Sequence, residues 1–507
     1  MKLERTKNAT KNIFFGAILK IYQIIVPFLM RTAMIYTLGV KYLGLNSLFV
    51  SILQVLNLAE LGVGSAMIFS MYKPIANDDD KTICALMNLY KKYYRIIGLV
   101  ILSIGIIICP IIPYLIKSDL PDGINIYVLY LMNLMITVVS YWLFAYKNCL
   151  LQAHQRNDII SKITLAVNTI QYLLQFIVLF IIKDYYWYVM ISLLAQIAIN
   201  IITAYVANKM YPKYKAIGNL EKTKIKDINQ RVKDLFTSKV GYVIVNSADS
   251  IVISAFLGLT VLAIYQNYYY ILTAIIGIVS VIFNSCSAGI GNSLVIESKE
   301  KNYLDLKKFT FIIVWLSGIC VSELICMYQP FMELWVGKEL LLNFSAVICF
   351  VTYYFIYEIN SLLNTYKDSA GIWHNDRFRP LTTALVNLAL NLILVNFIGI
   401  YGVLLSTVIS TVCVGLPWLI YNLFKEVFFR SPKEYVIKLL KYTVIIIVTS
   451  IVTYFATCWI RDVSIIMLII RAIISFLITN IIFILFFGKS EELKMTTELV
   501  LKVLKKK

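Results

Sequence analysis

Long apolar runs separated by short polar stretches recur along the whole chain. A helix needs about 20 apolar residues to cross the roughly 30 Å hydrocarbon core of a bilayer, and fourteen runs reach this length. Their approximate limits are 13–38, 43–72, 93–116, 124–146, 160–182, 185–208, 237–258, 262–288, 309–328, 341–366, 380–398, 401–424, 439–459 and 463–487. The pattern predicts an all-α polytopic membrane protein with about 14 transmembrane helices.

The composition agrees with this prediction and argues against several kinds of site. Hydrophobic residues make up 60% of the 507 residues and charged residues 15%, whereas soluble domains are roughly 45–50% apolar. The nine cysteines include no CxxC pair, and only two histidines accompany them. We therefore expect neither a zinc site nor a disulfide framework, and no cofactor.

The basic residues are distributed unevenly between the two sides of the predicted spans. With the N-terminus in the cytoplasm, 39 of the 47 Lys and Arg residues fall on the inner side and five on the outer side. The positive-inside rule then predicts that both termini are cytoplasmic. Anionic membrane lipid, and not nucleic acid, is the expected partner of this charge. The outer turns are short, which leaves no room for an external catalytic domain, so we do not expect an enzyme.

The longest hydrophilic stretch separates two sets of six spans. Residues 1–208 form a predicted N-lobe, 209–236 a basic cytoplasmic linker, 237–424 a C-lobe, and 425–507 spans 13 and 14 with a basic tail. The first two spans of each lobe are joined by similar turns, "LGVKYLGLN" from Leu38 and "LGLTVLAIY" from Leu257. Two matching halves of six spans are typical of transporters whose binding site lies between the lobes.

Two cations lie inside the first predicted span. Arg31 interrupts the apolar run "VPFLMRTAMIYTL", and Lys20 lies on nearly the same helical face. Helical side chains lean toward the helix N-terminus, so Lys20 leans toward the inner interface while Arg31 leans away from the outer one. Arg31 is either a snorkelling or ion-paired structural residue, or a cavity-facing site for an anion. Lys20 is the second candidate cation for such a site.

The carboxylates nearest to mid-membrane depth are Glu60 in the second span and Asp249 in the seventh. Each shares a polar stripe with an amide, Asn57 and Asn246 respectively. Polar stripes often hold helices together, but acids at this depth also exchange ions or neutralise a cation such as Arg31. We predict a cavity or ion-coupling role for these four residues, with H⁺ or Na⁺ as the ion.

The remaining ionisable groups favour structural interpretations. Glu323 and Glu358 lie nearer to span ends, where a solvated or paired carboxylate is expected. His154 and His374 lie among charged residues in loops, where a solvated side chain is expected. The tyrosine-rich run "YQNYYY" from Tyr265 either stacks on sugar rings or belongs to an interfacial aromatic belt.

Several motifs together resemble one family of transporters. They are "LGVKYLGLNSLF", "LAELGVGSAMIFSMYKPIA", "NSADSIVISAFLG", "SAGIGNSLVIESKEK" and "NDRFRPLTTALVNLALNLILVNFIGIYGVLLST". The chain resembles, over residues 10–425, the Wzx-type polysaccharide flippases of the multidrug/oligosaccharidyl-lipid/polysaccharide exporter superfamily. The resemblance implies two six-helix lobes in a V around a central cavity, two extra C-terminal helices, and alternating access.

The resemblance also implies a substrate and a role for particular residues. The substrate would be an undecaprenyl-diphosphate-linked oligosaccharide, flipped across a bacterial cell membrane for capsular or exopolysaccharide synthesis beside a polysaccharide polymerase. Arg31 matches an arginine of the first span and would bind the diphosphate, and Asp249 matches an acid of the seventh span. The chain departs from the family in having Glu60 where many relatives have aspartate, and in lacking an arginine in span 8.

Two other functions stay open on the sequence. A drug or cation antiporter of the same superfamily has the same architecture, although a cavity-facing arginine argues against a cationic substrate. A membrane polysaccharide polymerase or lipid-linked glycosyltransferase needs a sizeable outer loop, whereas the longest outer connection has about a dozen residues.

Overall fold

The computed structural model describes residues 5–117, 120–121 and 123–505, and every regular element among them is a helix. The first ten α-helices are α1 (Arg5–Thr37), α2 (Val40–Leu56), α3 (Val63–Ala76), α4 (Asp80–Ile108), α5 (Ile126–Trp142), α6 (Tyr146–Ala153), α7 (Asn157–Ile177), α8 (Tyr185–Met210), α9 (Lys222–Leu257) and α10 (Leu259–Ile296). The others are α11 (Lys299–Val336), α12 (Phe344–Ala370), α13 (Trp373–Asp376), α14 (Arg379–Ile398), α15 (Ile400–Ser410), α16 (Leu416–Leu423), α17 (Lys433–Thr457), α18 (Ile465–Phe487) and α19 (Glu491–Lys505).

The helices confirm the prediction of a polytopic all-α membrane protein. Within the described ranges, 12 helical stretches are long and apolar enough to cross a membrane. The pair α5 and α6, bent by 52°, supplies a thirteenth if it is one span. A shorter apolar stretch, Val243–Leu257, lies within the predicted seventh span. The predicted number of about 14 is therefore close to the number observed.

The second predicted span is broken near its middle. α2 ends at Leu56, a 3₁₀ turn covers Asn57–Glu60, and α3 begins at Val63 after Gly62. Gly62 has φ +87°, a left-handed conformation that costs other residues energy because of their Cβ atom. Discontinuous helices in membranes typically occur where the backbone lines a binding site. The sequence pattern predicted one continuous span here.

The two similar turns of the sequence have the same backbone conformation. Gly39 before α2 has φ 104° and ψ 163°, and Gly258 before α10 has φ 93° and ψ 173°. The turns also meet, because a Cβ atom on Gly44 would lie only 2.1 Å from the carbonyl oxygen of Leu259. Glycine alone fits this approach of two backbones. The matching conformations support the predicted internal repeat.

The chain divides into two compact units, Met1–Ala263 and Ile264–Lys507. In the first unit α1 packs against α7, α4 against α5, and α2 against α9. In the second unit α11 is central and packs against α12, α17 and α18, while α14 pairs with α15. The last two membrane helices thus share a core with α11. The finer division into lobes, linker and tail stays a prediction.

One of the two histidines is buried, contrary to expectation. His154 is 3% exposed, its ring packs 4.3 Å from that of Tyr211, and its Nδ1 lies 2.8 Å from the carbonyl oxygen of Leu150. Burial lowers the pKa of His154 below its ordinary value. The prediction failed because the segment after α8 folds back over the ring, bringing Tyr211 and Tyr214 onto it. His374 is exposed as predicted.

Candidate functional site

Glu60 lies at the break between α2 and α3. Its Oε1 accepts a hydrogen bond from the backbone N–H of Gly64 at 3.3 Å and one from the hydroxyl of Tyr94 at 3.4 Å. The first of these bonds satisfies an N–H group at the start of α3, where a helix leaves its donors unpaired and favours negative charge. The break therefore holds the carboxylate at the start of α3 and beside α4.

Three tyrosines from neighbouring helices complete this site. Tyr141 of α5 donates a hydrogen bond to Oδ1 of Asn57 at 3.1 Å, and Tyr90 donates one to Tyr94. The ring of Tyr94 lies 4.2 Å from that of Tyr90 and 5.4 Å from that of Tyr141. We call these five residues, Asn57, Glu60, Tyr90, Tyr94 and Tyr141, the Glu60 cluster.

Gly64 makes room for the cluster. A Cβ atom at this position would lie 3.0 Å from Oε1 of Glu60 and 3.1 Å from the hydroxyl oxygen of Tyr90. Both distances are tighter than ordinary van der Waals contact between carbon and oxygen. The "ELGVG" sequence therefore supplies the acid, the left-handed turn at Gly62 and the space for the tyrosines in one short stretch.

The predicted cation Arg31 lies on α1 in a different environment. α1 packs against α7 and α2, and the partly buried guanidinium interacts electrostatically with Tyr188 of α8. The ring of Tyr188 stacks on that of Tyr185, whose hydroxyl donates to Oδ1 of Asn46 at 3.1 Å. Arg31 is thus placed beside an aromatic group of the same unit. Lys20, nearer to the start of α1, is exposed.

The second predicted acid, Asp249, is 9% exposed on α9. α9 packs against α2 and against the 3₁₀ turn that carries Asn57 and Glu60. Asp249 and Glu60 therefore lie in the same compact unit, although the sequence repeat had placed them in opposite lobes. The side chain of Asn246 lies outside the described part of the chain.

The tyrosines of the Glu60 cluster were missed because the sequence pattern does not mark them. Tyr90 and Tyr94 stand among charged residues at the start of an apolar helix, and only packing brings them to Glu60. In the run "YQNYYY", Tyr265 and Tyr268 are buried, and the hydroxyl of Tyr268 donates to Gln329 at 2.8 Å. These two rings therefore pack inside the second unit and do not form an interfacial belt.

Glu358 was also misjudged. It lies near the middle of α12, has no exposed surface, and neither carboxylate oxygen has a hydrogen-bond partner among the described residues. The prediction of a solvated or paired carboxylate near a span end is wrong. This burial cannot be predicted from the sequence, because it depends on how α12 packs against α11, α15 and α16.

The Glu60 cluster and Arg31 offer polar groups of different chemistry. Among the described residues, no three His, Cys, Asp or Glu side chains are close enough to hold a metal ion. The Glu60 cluster offers one carboxylate, one amide and three phenol groups beside aromatic faces. Such groups bind hydroxyl-rich or cationic ligands, and a carboxylate at this depth also binds protons. Arg31 offers the complementary group, a guanidinium that binds phosphate.

Comparisons with known proteins agree with a membrane transporter. A family model described as polysaccharide biosynthesis protein matches residues 9–287, more than half of the chain. No curated protein sequence matches. The structure of the lipid II flippase MurJ in an inward closed conformation is 17% identical, covers 94% of this chain and 99% of its own, and has a TM-score of 0.68.

Two further solved structures share the fold. An inward-facing multidrug resistance MATE family transporter of the MOP superfamily is 14% identical, with a TM-score of 0.62 over 80% of this chain and 97% of its own. A MOP superfamily transporter from Pyrococcus furiosus is 12% identical, with a TM-score of 0.53 over 84% of this chain and 97% of its own. At such identities the likeness shows the fold alone.

Proposed function

Because the chain belongs to the polysaccharide biosynthesis protein family, we propose that it flips undecaprenyl-diphosphate-linked oligosaccharide units from the inner to the outer leaflet of the bacterial cell membrane. The observation that carries the proposal is Arg31, a permanent cation placed partly buried in a membrane helix of a flippase-like fold. The protein works by alternating access and serves surface or capsular polysaccharide synthesis, beside a polysaccharide polymerase. It transports its substrate and does not change it chemically.

Arg31 receives the diphosphate. A lipid diphosphate carries at least two charges, which cannot cross about 30 Å of hydrocarbon without compensation. A guanidinium holds two phosphate oxygens at once through parallel hydrogen bonds. Lys20 lies eleven residues earlier on α1, about 16 Å along the helix, and its exposed ammonium group attracts the headgroup first.

The Glu60 cluster binds the sugar part of the substrate and the ion that drives transport. Its phenol and amide groups bind sugar hydroxyls, and Glu60 exchanges an ion, H⁺ or Na⁺, with Asp249 as the second acid. Asn57 is held by Tyr141, and Asn246 lies on the same helix as Asp249. Both chain termini face the cytoplasm, which puts the basic segments against anionic inner-leaflet lipid.

Deleting the gene in its host tests the function directly. We expect the lipid-linked repeat unit to accumulate on the cytoplasmic leaflet, with loss of surface polymer. Delivery of the unit to the outer leaflet at the normal rate would reject the flippase proposal.

Substitution of Arg31 tests the site separately. Arg31→Ala should abolish export at equal protein level, and Arg31→Lys should keep part of it, because lysine retains the charge but loses the bidentate geometry. Arg461→Ala, which removes an exposed arginine, is the matched control and should export normally. Wild-type export by Arg31→Ala would assign Arg31 a structural role.

The second candidate is a drug or cation antiporter of the same superfamily. The specific observation in its favour is the Glu60 cluster, in which a carboxylate stands beside three tyrosine rings as in sites for organic cations. Overexpression separates the two functions. Resistance to cationic drugs that is lost in Glu60→Gln but kept in Arg31→Ala would favour the antiporter.

A further inference from the structure

One carboxylate of the second unit has no hydrogen-bond or ion-pair partner among the described residues. Glu358 of α12 is 0% exposed, and both of its oxygens lack hydrogen-bond partners in the described part of the chain. No ion pair reaches it there either. An ionised carboxylate in such a place is costly by several kcal/mol, and proteins avoid that cost by keeping the group neutral. This environment therefore favours the neutral carboxylic acid form of Glu358.

Polar side chains of the neighbouring helix α11 lie in a row that begins beside Glu358. Cys320 interacts electrostatically with Glu358 and with Glu323, which lies one helical turn further along α11. Glu323 in turn lies close to Ser475 of α18. These contacts form a row of polar groups that winds around α11, from the face covered by α12 to the face covered by α18.

The row continues toward the Val336 end of α11. Cys326 lies close to Thr453 and Thr457 of α17 and to Ser475. Its carbonyl oxygen accepts a hydrogen bond from the guanidinium of Arg471 at 3.4 Å, and Arg471 also donates to the carbonyl oxygen of Ile460 in the turn between α17 and α18. We call the set the polar seam: Ser317, Cys320, Glu323, Cys326, Tyr354, Glu358, Thr453, Thr457, Arg471 and Ser475.

Several groups of the polar seam lack hydrogen bonds of ordinary geometry. They are the hydroxyls of Ser317, Tyr354 and Ser475, Oε2 of Glu323 and Nε of Arg471, all of them buried atoms. Buried polar groups without partners are rare and are usually satisfied by internal water. These groups are spaced between a buried acid and the end of a helix, and hydroxyl and carboxyl groups placed in this way can relay a proton.

We propose that Glu358 is a proton-binding site and that the polar seam conducts its proton to and from the Val336 end of α11. The step is a simple transfer in which the carboxylate takes H⁺ from hydronium and leaves water, and no other bond forms or breaks. Cys320 and Tyr354 are the titratable groups that interact electrostatically with Glu358 among the described residues. Mg²⁺ and Ca²⁺ take about six or more oxygen ligands, and among the described residues no three His, Cys, Asp or Glu side chains lie close enough to hold a metal ion.

The seam also gives α17 and α18 a function. Thr453, Thr457, Arg471 and Ser475 all belong to these two helices, which lie beyond the twelve spans of the two predicted lobes. Without them, one side of Glu323 and Cys326 would face lipid. The helices therefore complete a polar path inside the second unit.

Infrared spectroscopy tests the site on the purified full-length protein, without any transport substrate. We expect a carboxylic acid C=O band that disappears reversibly as the pH rises, that is lost completely in Glu358→Gln, and that persists in Glu339→Gln. Glu339 is exposed in the turn after α11 and provides the matched control. Because no lipid-linked sugar takes part, failure here and failure of the flippase proposal are separate outcomes.

Two results would overturn the proton site. One is the absence of any acid band that depends on Glu358, which would mean that the carboxylate is ionised throughout. The other is a Glu358-dependent band that never titrates while the protein is folded, which would make it a closed structural acid. If Glu358→Gln does not fold, Glu358→Asp is measured in its place. A C=O band whose frequency is the same in Glu358→Asp and in the wild type arises from another residue, and this result also overturns the assignment.

Deuterium exchange tests the path. After transfer to D₂O, the shift of the Glu358 band should be several-fold slower in Glu323→Gln and in Ser475→Ala than in the wild type. Ser410→Ala, which removes a buried hydroxyl of α15 outside the seam, should leave the rate unchanged. Equal exchange rates in the wild type and the three variants would exclude the polar seam as the proton path.

Discussion

Replacing Gly64 with alanine sets two opposing effects against each other. Alanine is the better helix former by about 0.8–1 kcal/mol, so the change by itself stabilises α3. The new Cβ atom, however, would lie 3.0 Å from Oε1 of Glu60 and 3.1 Å from the hydroxyl of Tyr90. Glu60 must then shift and lose its bond to the backbone N–H of Gly64, and a hydrogen bond to a charged group contributes about 1.5–3 kcal/mol. We expect a net destabilisation of about 0.5–2 kcal/mol.

Gly16→Ala is the matched control for this prediction. Gly16 also lies inside a helix of the first unit, and a Cβ atom there would meet nothing within 4 Å. Thermal unfolding in detergent should show that Gly16→Ala is stabilised and Gly64→Ala destabilised. Export of surface polymer in cells should fall only in Gly64→Ala. If the two variants shift stability in the same direction and export equally, the Glu60 cluster is not held as described.

Three further substitutions test other parts of the structure. Gly44→Ala should destabilise the protein by at least about 1–3 kcal/mol in the same unfolding assay, because its Cβ would overlap a backbone carbonyl group; wild-type stability would refute the close approach. Asp376→Asn should cost about 3–5 kcal/mol, because it breaks the buried pair with Arg379 at 2.7 Å, whereas the exposed Asp368→Asn should be nearly neutral. His154 has a lowered pKa in the folded protein, so its contribution to stability is complete above about pH 6.5 and is lost as the pH falls below that value; His154→Gln should flatten this part of the stability curve, and an unchanged slope would contradict the burial.

The sequence predicts the membrane helices well because their signal is local. Twenty apolar residues in a row are visible in any window, whatever packs around them. The same is true of Arg31 and Glu60, whose charge stands out against an apolar background. The break at Asn57 was not predicted, because Gly62 and Gly64 are also the residues that allow continuous helices to pack closely. Only the φ angle of Gly62 distinguishes the two cases.

Side-chain partners could not be predicted, because they depend on contacts between distant segments. Tyr94 reaches Glu60 from 34 residues away and Tyr141 reaches Asn57 from 84 residues away. The buried state of Glu358 likewise depends on how α12 packs against other helices, namely α11, α15 and α16. Burial of His154 depends on Tyr211, which the polar pattern had assigned to a solvated linker.

The break between α2 and α3 has a mechanical consequence. A continuous helix rotates as one body. Two helices joined at a glycine with a left-handed backbone, such as α2 and α3, can rotate independently of each other. α2 packs against α9, and α3 packs against α4 and α6, so the two helices have different packing partners within the same unit. Glu60 sits at the joint and bonds to α3 and α4. A change of the angle at Gly62 would therefore break the bonds that hold the Glu60 carboxylate in place.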